Sequence, residues 1–276
     1  MLQQIINVGG ILSDWLQAAR TNAEATKRAR MLPAWLAVGV VLLDFCLIGL
    51  WFRCTHEMSI VGWAIAGVVL YLVRLSIVII TLRSACRHYR VSCQALGIRP
   101  SDMLPDFRWS SRICLLSALI IVTAVFAGFV IARGIGVRLP APPEEFVHFL
   151  GGSYPLTQFA AIAVLAGAVL TVLAPLTEEL VYRSVFLPAL AYRIGLFPSV
   201  AVTSLVFGLA HVVPSGRFWI PIPEIIGGLL MAAGFSIRWS VVPAMVIHAL
   251  GNMFSGALMF IYVQLFKAHP TWFGNQ

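Results

Sequence analysis

Long uninterrupted apolar runs dominate the pattern of hydrophobic and polar positions along the chain. Several reach the roughly 20 residues that an α-helix needs to cross a bilayer, and none alternates as a membrane β-barrel strand does. The pattern predicts an all-α, polytopic membrane helical bundle of about eight transmembrane helices. The predicted spans are Leu32–Phe52, Ser59–Leu82, Ile113–Ala132, Leu156–Leu176, Thr177–Ile194, Pro198–Val213, Pro223–Ile237 and Val241–Phe266.

These runs divide the chain into four parts. Residues 1–31 combine apolar positions at helical spacing with a basic end, which predicts a helix lying in the membrane interface; a solvated, irregular segment is the alternative. Residues 32–155 hold the first three spans and a long basic connection, residues 156–266 hold the remaining spans, and residues 267–276 form a C-terminal tail.

A proline stands near the end of the fourth predicted span. Pro175 has no backbone N–H and its ring clashes with the preceding turn, so we expect it to break or kink the helix. Thr177 can then cap a new helix, whose first turn holds Glu178 and Glu179 at the positive end of the helix dipole.

Composition excludes a soluble domain. The chain is 60% hydrophobic and 11% charged, whereas soluble domains carry about 25% charged residues. A net charge of +8 is typical of nucleic-acid binding in a soluble protein, but the basic residues here lie mostly between the apolar runs, where they orient a membrane protein. The expected partner is the lipid bilayer, and no nucleic acid is expected.

The position of the arginines predicts an orientation. Residues 83–112 form the longest basic connection, and short basic connections stay in the cytoplasm. With eight spans, both termini are then cytoplasmic. Short connections and a small chain are typical of a multi-pass protein of a prokaryotic plasma (inner) membrane; the endoplasmic reticulum is the alternative.

Two predicted spans each contain one charged residue at membrane depth. Asp44 lies in the first span and Arg74 in the second, and antiparallel packing of the two helices brings them to similar depths at 1.5 Å per residue. Because a lone charge inside the bilayer is costly, we expect an ion pair, with a structural rather than a catalytic role.

Three places in the C-terminal part of the chain combine polar residues with a four-residue spacing, which separates Glu179 from Arg183, Phe207 from His211, and His248 from Asn252. Residues at this spacing share one face of a helix. The three places are Glu178-Glu179 with Arg183, Phe207 with His211, and His248 with Asn252.

These residue types suffice for hydrolysis by water. Glu178 can deprotonate a water and His211 can hold it or shuttle its proton, while His248 and Asn252 can donate hydrogen bonds to the oxyanion of an attacked amide. Alternatively, Glu178, His211 and His248 can hold a divalent ion such as Zn²⁺, which activates the water. The His-Glu-x-x-His pattern of common zinc proteases is absent.

The three places together resemble the CAAX-protease and bacteriocin-processing (Abi) family of intramembrane proteases, which includes the prenyl-protein endopeptidase Rce1. The resemblance covers roughly residues 156–260. It rests on Thr177-Glu178-Glu179-Leu-Val-Tyr-Arg183, on Phe207-Gly-Leu-Ala-His211, and on Gly227-Gly-Leu-Leu followed by Pro243-Ala-Met-Val-Ile-His248-Ala-Leu-Gly-Asn252.

The resemblance implies a role for each residue. Glu178 would be the water-activating base, supported by Glu179 and Arg183, and His211 a second catalytic group next to the motif aromatic Phe207. The same resemblance implies that His248 and Asn252 lie at the oxyanion. Members of the family are described as metalloproteases, and a metal-free glutamate mechanism is also proposed for them; we prefer the metal-free mechanism here, with Zn²⁺ as the alternative.

The predicted spans create a conflict of depth. If the eighth span ends in the cytoplasm at Phe266, His248 lies about 27 Å above that boundary, whereas Glu178 and His211 lie near it. We therefore expect the short fifth, sixth and seventh helices to be tilted or to begin inside the bilayer, around a water-filled cavity.

The leading hypothesis is an intramembrane endopeptidase. Its substrate would be a small membrane-associated peptide or a lipidated protein end, such as a CAAX-type end, that reaches the cavity from the cytoplasmic side. The alternative is a non-catalytic membrane scaffold or immunity-type protein that keeps the fold. A proton-coupled transporter is a third hypothesis, but its polar groups would be spread along a path across the bilayer.

Overall fold

The computed structural model describes residues 32–55, 60–142, 147, 150, 156–212 and 220–274. The predicted interfacial segment, residues 1–31, lies outside the described residues. Within them the fold is an all-α bundle, as predicted, and four of its helices (α1, α2, α4 and α7) are long and apolar enough to cross a membrane. The helices are α1 Ala34–Thr55, α2 Ile60–Tyr89, α3 Met103–Gly134, α4 156–194, α5 Leu196–Val212, α6 Ile222–Arg238 and α7 Val241–Ala268.

Helix α4 is continuous, so the predicted break at Pro175 is wrong. A π-helical segment, Val169–Leu173, directly precedes the α-helical turn that contains Pro175. A proline needs space over the preceding turn and cannot donate to it, and the wider π turn accommodates both constraints without ending the helix. Thr177 does not cap a helix, because its hydroxyl donates to the Leu173 carbonyl at 2.7 Å.

One end of the bundle, which we call the basic end, gathers the start of α1, the α2–α3 connection, the α4–α5 junction and the α6–α7 turn. Arg193, near the end of α4, donates to the Leu32 carbonyl at 3.1 Å. The N–H of Val241, the first residue of α7, donates to the Gly97 carbonyl at 2.9 Å. Gly97 has a φ of 74°, and a Cβ there would lie 2.4 Å from the ring of Phe235, so only glycine fits.

The opposite end, which we call the far end, gathers the end of α1, the start of α2, residues 135–142, and residues 269–274. The Leu139 N–H donates to the Trp272 carbonyl at 2.9 Å, and the Gly274 N–H donates to the Leu139 carbonyl at 2.8 Å. Because the described helices run alternately between the two ends, the last described residues lie at the opposite end from Leu32. The sequence analysis expected both termini on one side because it predicted two helices, Leu156–Leu176 and Thr177–Ile194, where the structure has the single helix α4.

Candidate active site

The two charged residues of the first two helices form the predicted ion pair. Arg74 donates to Asp44 Oδ1 from Nε at 2.9 Å and from Nη2 at 2.6 Å. Both side chains are almost fully buried, with 3% and 0% of the Asp44 and Arg74 side chains exposed. The pairing prediction is confirmed.

This pair also belongs to the candidate site, which the sequence analysis did not predict. The Tyr71 hydroxyl donates to Glu178 Oε1 at 2.9 Å, and Arg74 Nη1 lies 3.7 Å from the same oxygen. The Tyr182 hydroxyl donates to Asp44 Oδ2 at 3.3 Å. The signal in the sequence was the spacing of Tyr71 and Arg74, three residues apart and therefore on one helix face.

Glu179 is the centre of a second buried network. The prediction that it pairs with Arg183 is confirmed, with Arg183 Nη1 donating to Glu179 Oε1 at 3.2 Å. Arg183 Nη2 also donates to the Gly228 carbonyl of α6 at 3.0 Å. Glycine is needed at position 228, since a Cβ there would lie 3.0 Å from the backbone of Ser204 in α5. Glu179 and Arg183 are both fully buried.

His248 lies between the two adjacent carboxylates of α4. Its Nδ1 is 2.9 Å from Glu179 Oε1, and its Nε2 is 3.8 Å from Glu178 Oε2. Glu179 is paired with Arg183, so it accepts the hydrogen bond and His248 Nδ1 carries the proton. In the neutral ring, Nε2 presents a lone pair on the side of Glu178.

The depth of His248 follows from the direction of α7. This helix begins at the basic end, and His248 lies seven residues, or about 10 Å, from its start. Because α7 begins at the basic end, His248 lies at the same depth as Glu179, and the conflict of depth that follows from full spans does not arise. Helices α5 and α6 are short, at 17 residues each.

Phe207 holds the two histidines apart. Its ring lies 4.7 Å from the ring of His211 and meets the ring of His248 edge-on at 5.6 Å. His211 Nδ1 is 2.8 Å from the Phe207 carbonyl; a carbonyl can only accept, so Nδ1 carries the proton. His211 lines the same cavity as Glu178, with its Nε2 free to accept a proton.

Asn252 has a different environment. Its side-chain amide donates to the Leu170 carbonyl at 2.8 Å, in the π-helical segment of α4. Among the described residues that line the cavity at Glu178, Asn252 does not occur. The role in oxyanion binding that the resemblance implies for Asn252 stays a prediction.

A cavity of about 190 Å³ opens beside Glu178. Its floor is polar, with Asp44, Arg74 and Glu178, and its walls are mostly apolar side chains of α1, α2 and α4. The walls include Trp51 and Trp63, whose rings lie 4.9 Å apart near the far end of α1 and α2. The cavity therefore extends from the middle of the bundle towards the far end.

The predicted metal ligands do not form a metal site in the described part of the chain. No group of three or more His, Cys, Asp or Glu side chains is arranged to hold an ion there. Glu178 Oε1 accepts from Tyr71 and faces the cation of Arg74, and His248 Nδ1 is committed to Glu179. Of Glu178 and His248, the atoms left to hold an ion are Oε2 and Nε2, 3.8 Å apart. A hydrogen bond from Nδ1 to a carboxylate is usual for a metal-ligating histidine, so the choice between the two mechanisms stays a prediction.

Part of the chain matches known proteins. Residues 159–254 match the family model described as type II CAAX prenyl endopeptidase Rce1-like. Human CAAX prenyl protease 2 is 39% identical to the chain over 74 residues, which are 26% of this chain and 22% of the human protein. The match thus spans less than a quarter of the length of that curated relative. No solved structure matches the chain.

The matched segment contains only part of the site. Glu178, Glu179, His211 and His248 lie within residues 159–254. The matched segment leaves out the residues that α1 and α2 contribute to the cavity. These residues are Asp44, Tyr71 and Arg74.

Proposed function

We propose that this chain, which belongs to the Rce1-like family through residues 159–254, is an intramembrane endopeptidase whose nucleophile is a water activated by Glu178. The observation that carries the proposal is the position of His248 between two carboxylates. Glu179 fixes the proton of His248 on Nδ1 at 2.9 Å, so that Nε2 and Glu178 Oε2, 3.8 Å apart, both accept from one donor. A water molecule is such a donor.

The proposed reaction begins with that water. As its oxygen attacks the carbonyl carbon of the scissile peptide bond, Glu178 accepts one of its protons, and negative charge develops on the carbonyl oxygen. When the tetrahedral intermediate collapses, the C–N bond breaks and the leaving nitrogen takes a proton from Glu178 or through His211. The buried network around Glu179 keeps His248 in the orientation that aligns the water.

We propose a metal-free reaction. Tyr71 donates to Glu178 Oε1 at 2.9 Å and the cation of Arg74 lies 3.7 Å from the same oxygen, which favours a carboxylate that acts as a base over one that binds an ion. Zn²⁺ held by Glu178, His211 and His248 is the alternative.

The proposal is tested in native membranes that carry the chain or its Glu178→Gln variant. Mass spectrometry of peptide termini is expected to find new termini with the wild-type chain and none with the variant, and chelator-treated wild-type membranes are expected to give the same termini. Identical termini in wild type and variant would support the non-catalytic scaffold or immunity-type protein instead. Termini that vanish with chelator and return with Zn²⁺ would overturn the metal-free reaction.

We further propose that substrates enter from the far end. The cavity extends towards that end, and basic residues, which mark the cytoplasmic side, are concentrated at the opposite end. Substrates would then be membrane-associated peptides outside the cytoplasm, whereas a CAAX-type protein end would approach from the cytoplasm. Among the described residues, the basic ones near the basic end are Arg83, Arg87, Arg90, Arg99, Arg108, Arg112, Arg193 and Arg238, and those near the far end are Arg53, Arg133, Arg138 and Lys267.

Two native cysteines can measure this orientation. Cys54 lies at the far end of α1 and Cys93 in the α2–α3 connection, and both are exposed. In cells that express single-cysteine variants, a membrane-impermeant maleimide is expected to label Cys54 directly and Cys93 only after permeabilisation. A cysteine-free chain serves as the control. The reverse labelling would put the cavity mouth in the cytoplasm and favour a CAAX-type substrate.

A further inference from the structure

The cavity floor contains one hydrogen-bond donor that the reaction described above does not use. Arg74 donates from Nε and Nη2 to Asp44, but its Nη1 makes no hydrogen bond with any described residue. The Arg74 side chain is 0% exposed, lines the cavity, and stacks over the Tyr71 ring at 4.5 Å. Its nearest anionic oxygen is Glu178 Oε1 at 3.7 Å, which is beyond hydrogen-bond distance. A buried N–H group without a hydrogen bond is costly, so Nη1 is placed to donate to a ligand.

Among the described contacts, neither of the two residues that the family resemblance places at the oxyanion donates into the cavity when the His248 ring is neutral. His248 Nδ1 donates to Glu179, so its Nε2 is an acceptor in the neutral ring. Asn252 donates to the Leu170 carbonyl and does not line the cavity among the described residues. The developing negative charge on the substrate needs a donor from elsewhere.

We infer that Arg74 Nη1 is the oxyanion donor of this enzyme, an inference that rests on the proposed function. During attack, the proton of the water moves to Glu178 and the negative charge moves from Glu178 to the carbonyl oxygen of the substrate. Arg74 Nη1 lies 3.7 Å from Glu178 Oε1, so it faces the charge both before and after this transfer. A donor held in place beforehand needs no reorganisation as the charge moves.

The neighbours of Arg74 are arranged to hold it in this position. Asp44 accepts two of its hydrogen bonds on Oδ1 and receives the Tyr182 hydroxyl on Oδ2. Tyr71 supports the flat face of the guanidinium and orients Glu178 through its hydroxyl. Asp44 and Tyr71 are therefore positioning residues, and only Arg74 touches the reacting oxygen.

The test compares the Asp44→Asn/Arg74→Gln double variant with the wild-type chain in proteoliposomes, using a peptide substrate that the wild type cleaves. The double change removes the cation without leaving Asp44 buried and unpaired, and Glu178 keeps the hydrogen bond from Tyr71. We expect kcat to fall about 100- to 1000-fold, as for loss of one oxyanion donor, with KM nearly unchanged. Affinity for a phosphonate peptide, which mimics the tetrahedral oxyanion, is expected to fall by a similar factor.

Two further variants separate catalysis from folding. The Asp106→Asn/Arg238→Gln variant removes a partly exposed ion pair of 2.8 Å between α3 and α6, away from the site, and is expected to keep the wild-type kcat. Arg74→Lys keeps a cation but not the Nη1 position, so its kcat is expected to lie between those of the wild type and the double variant. If the double variant does not fold, the kcat of Arg74→Lys is compared with that of the wild type instead.

The outcomes distinguish this inference from the proposed function. If the wild-type chain cleaves no peptide, the proposed function fails. If the wild type cleaves and the Arg74 variants keep wild-type kcat and phosphonate affinity while Asn252→Ala loses both, Arg74 is structural and Asn252 is the oxyanion donor.

Discussion

Glu178→Gln is expected to lower kcat by about 10⁴-fold, the upper range for loss of a general base. Glutamine has nearly the same shape and can still accept the Tyr71 hydroxyl that Glu178 Oε1 accepts at 2.9 Å, so the variant should fold. It cannot take a proton from water at neutral pH. Steady-state cleavage of a peptide in proteoliposomes measures the effect, and KM should change little because Glu178 acts on the water rather than on the ground-state substrate.

Glu224→Gln is the matched control for that variant. Glu224 is a carboxylate in the first turn of α6, outside the networks of Glu178 and Glu179, and its replacement should leave kcat unchanged. A Glu178→Gln variant with more than a tenth of the wild-type kcat would remove Glu178 from the reaction.

Glu179→Gln is expected to lower kcat by about 10³- to 10⁴-fold, although Glu179 does not touch the substrate. An amide in place of the carboxylate can donate to His248 Nδ1 and so favours the other tautomer, with the proton on Nε2; the comparable change in a serine protease triad costs about 10⁴-fold. In the native chain Glu179 Oε1 receives His248 Nδ1 at 2.9 Å. The expected signature is a loss of kcat with a retained fold.

Loss of stability is a competing explanation, because Glu179→Gln leaves Arg183 buried without its carboxylate. Breaking a buried pair costs about 3–5 kcal/mol. The Glu179→Gln/Arg183→Gln double variant removes the unpaired cation and should recover part of the thermal stability but none of the kcat. Activity that recovers together with the unfolding midpoint would mean that Glu179 acts only on the fold.

The sequence predicted those contacts that follow from local spacing or from a single unpaired charge. Glu179 and Arg183 are one helical turn apart, and Asp44 and Arg74 are the charged residues of two adjacent apolar helices. Both pairs form as expected, because a buried charge has few partners to choose from.

The continuity of α4 could not be predicted from the sequence, because a proline inside an apolar run normally breaks or kinks a helix. Whether Pro175 ends a helix depends on whether the preceding turn can widen, and the π-helical segment Val169–Leu173 supplies that widening. This one difference reverses the direction of α7 relative to the prediction. It brings His248 to Glu179 and moves the C-terminal tail away from the basic end.

The role of α1 and α2 was also beyond the sequence pattern. The only signal for Tyr71 is its three-residue spacing from Arg74, and Arg74 already had an expected partner in Asp44. Only packing of α2 against α4 shows that both reach Glu178. Residues outside the family-matched segment therefore complete the site, so this segment alone should not reproduce the activity.

The most direct test of the account is an experimental structure of the full chain in a lipid nanodisc with a phosphonate peptide bound. The account predicts one phosphonate oxygen between Glu178 Oε2 and His248 Nε2, in the position of the attacking water, and a second within hydrogen-bond distance of Arg74 Nη1. A phosphonate bound elsewhere, or held without contact to Glu178 and His248, would contradict water activation by this pair.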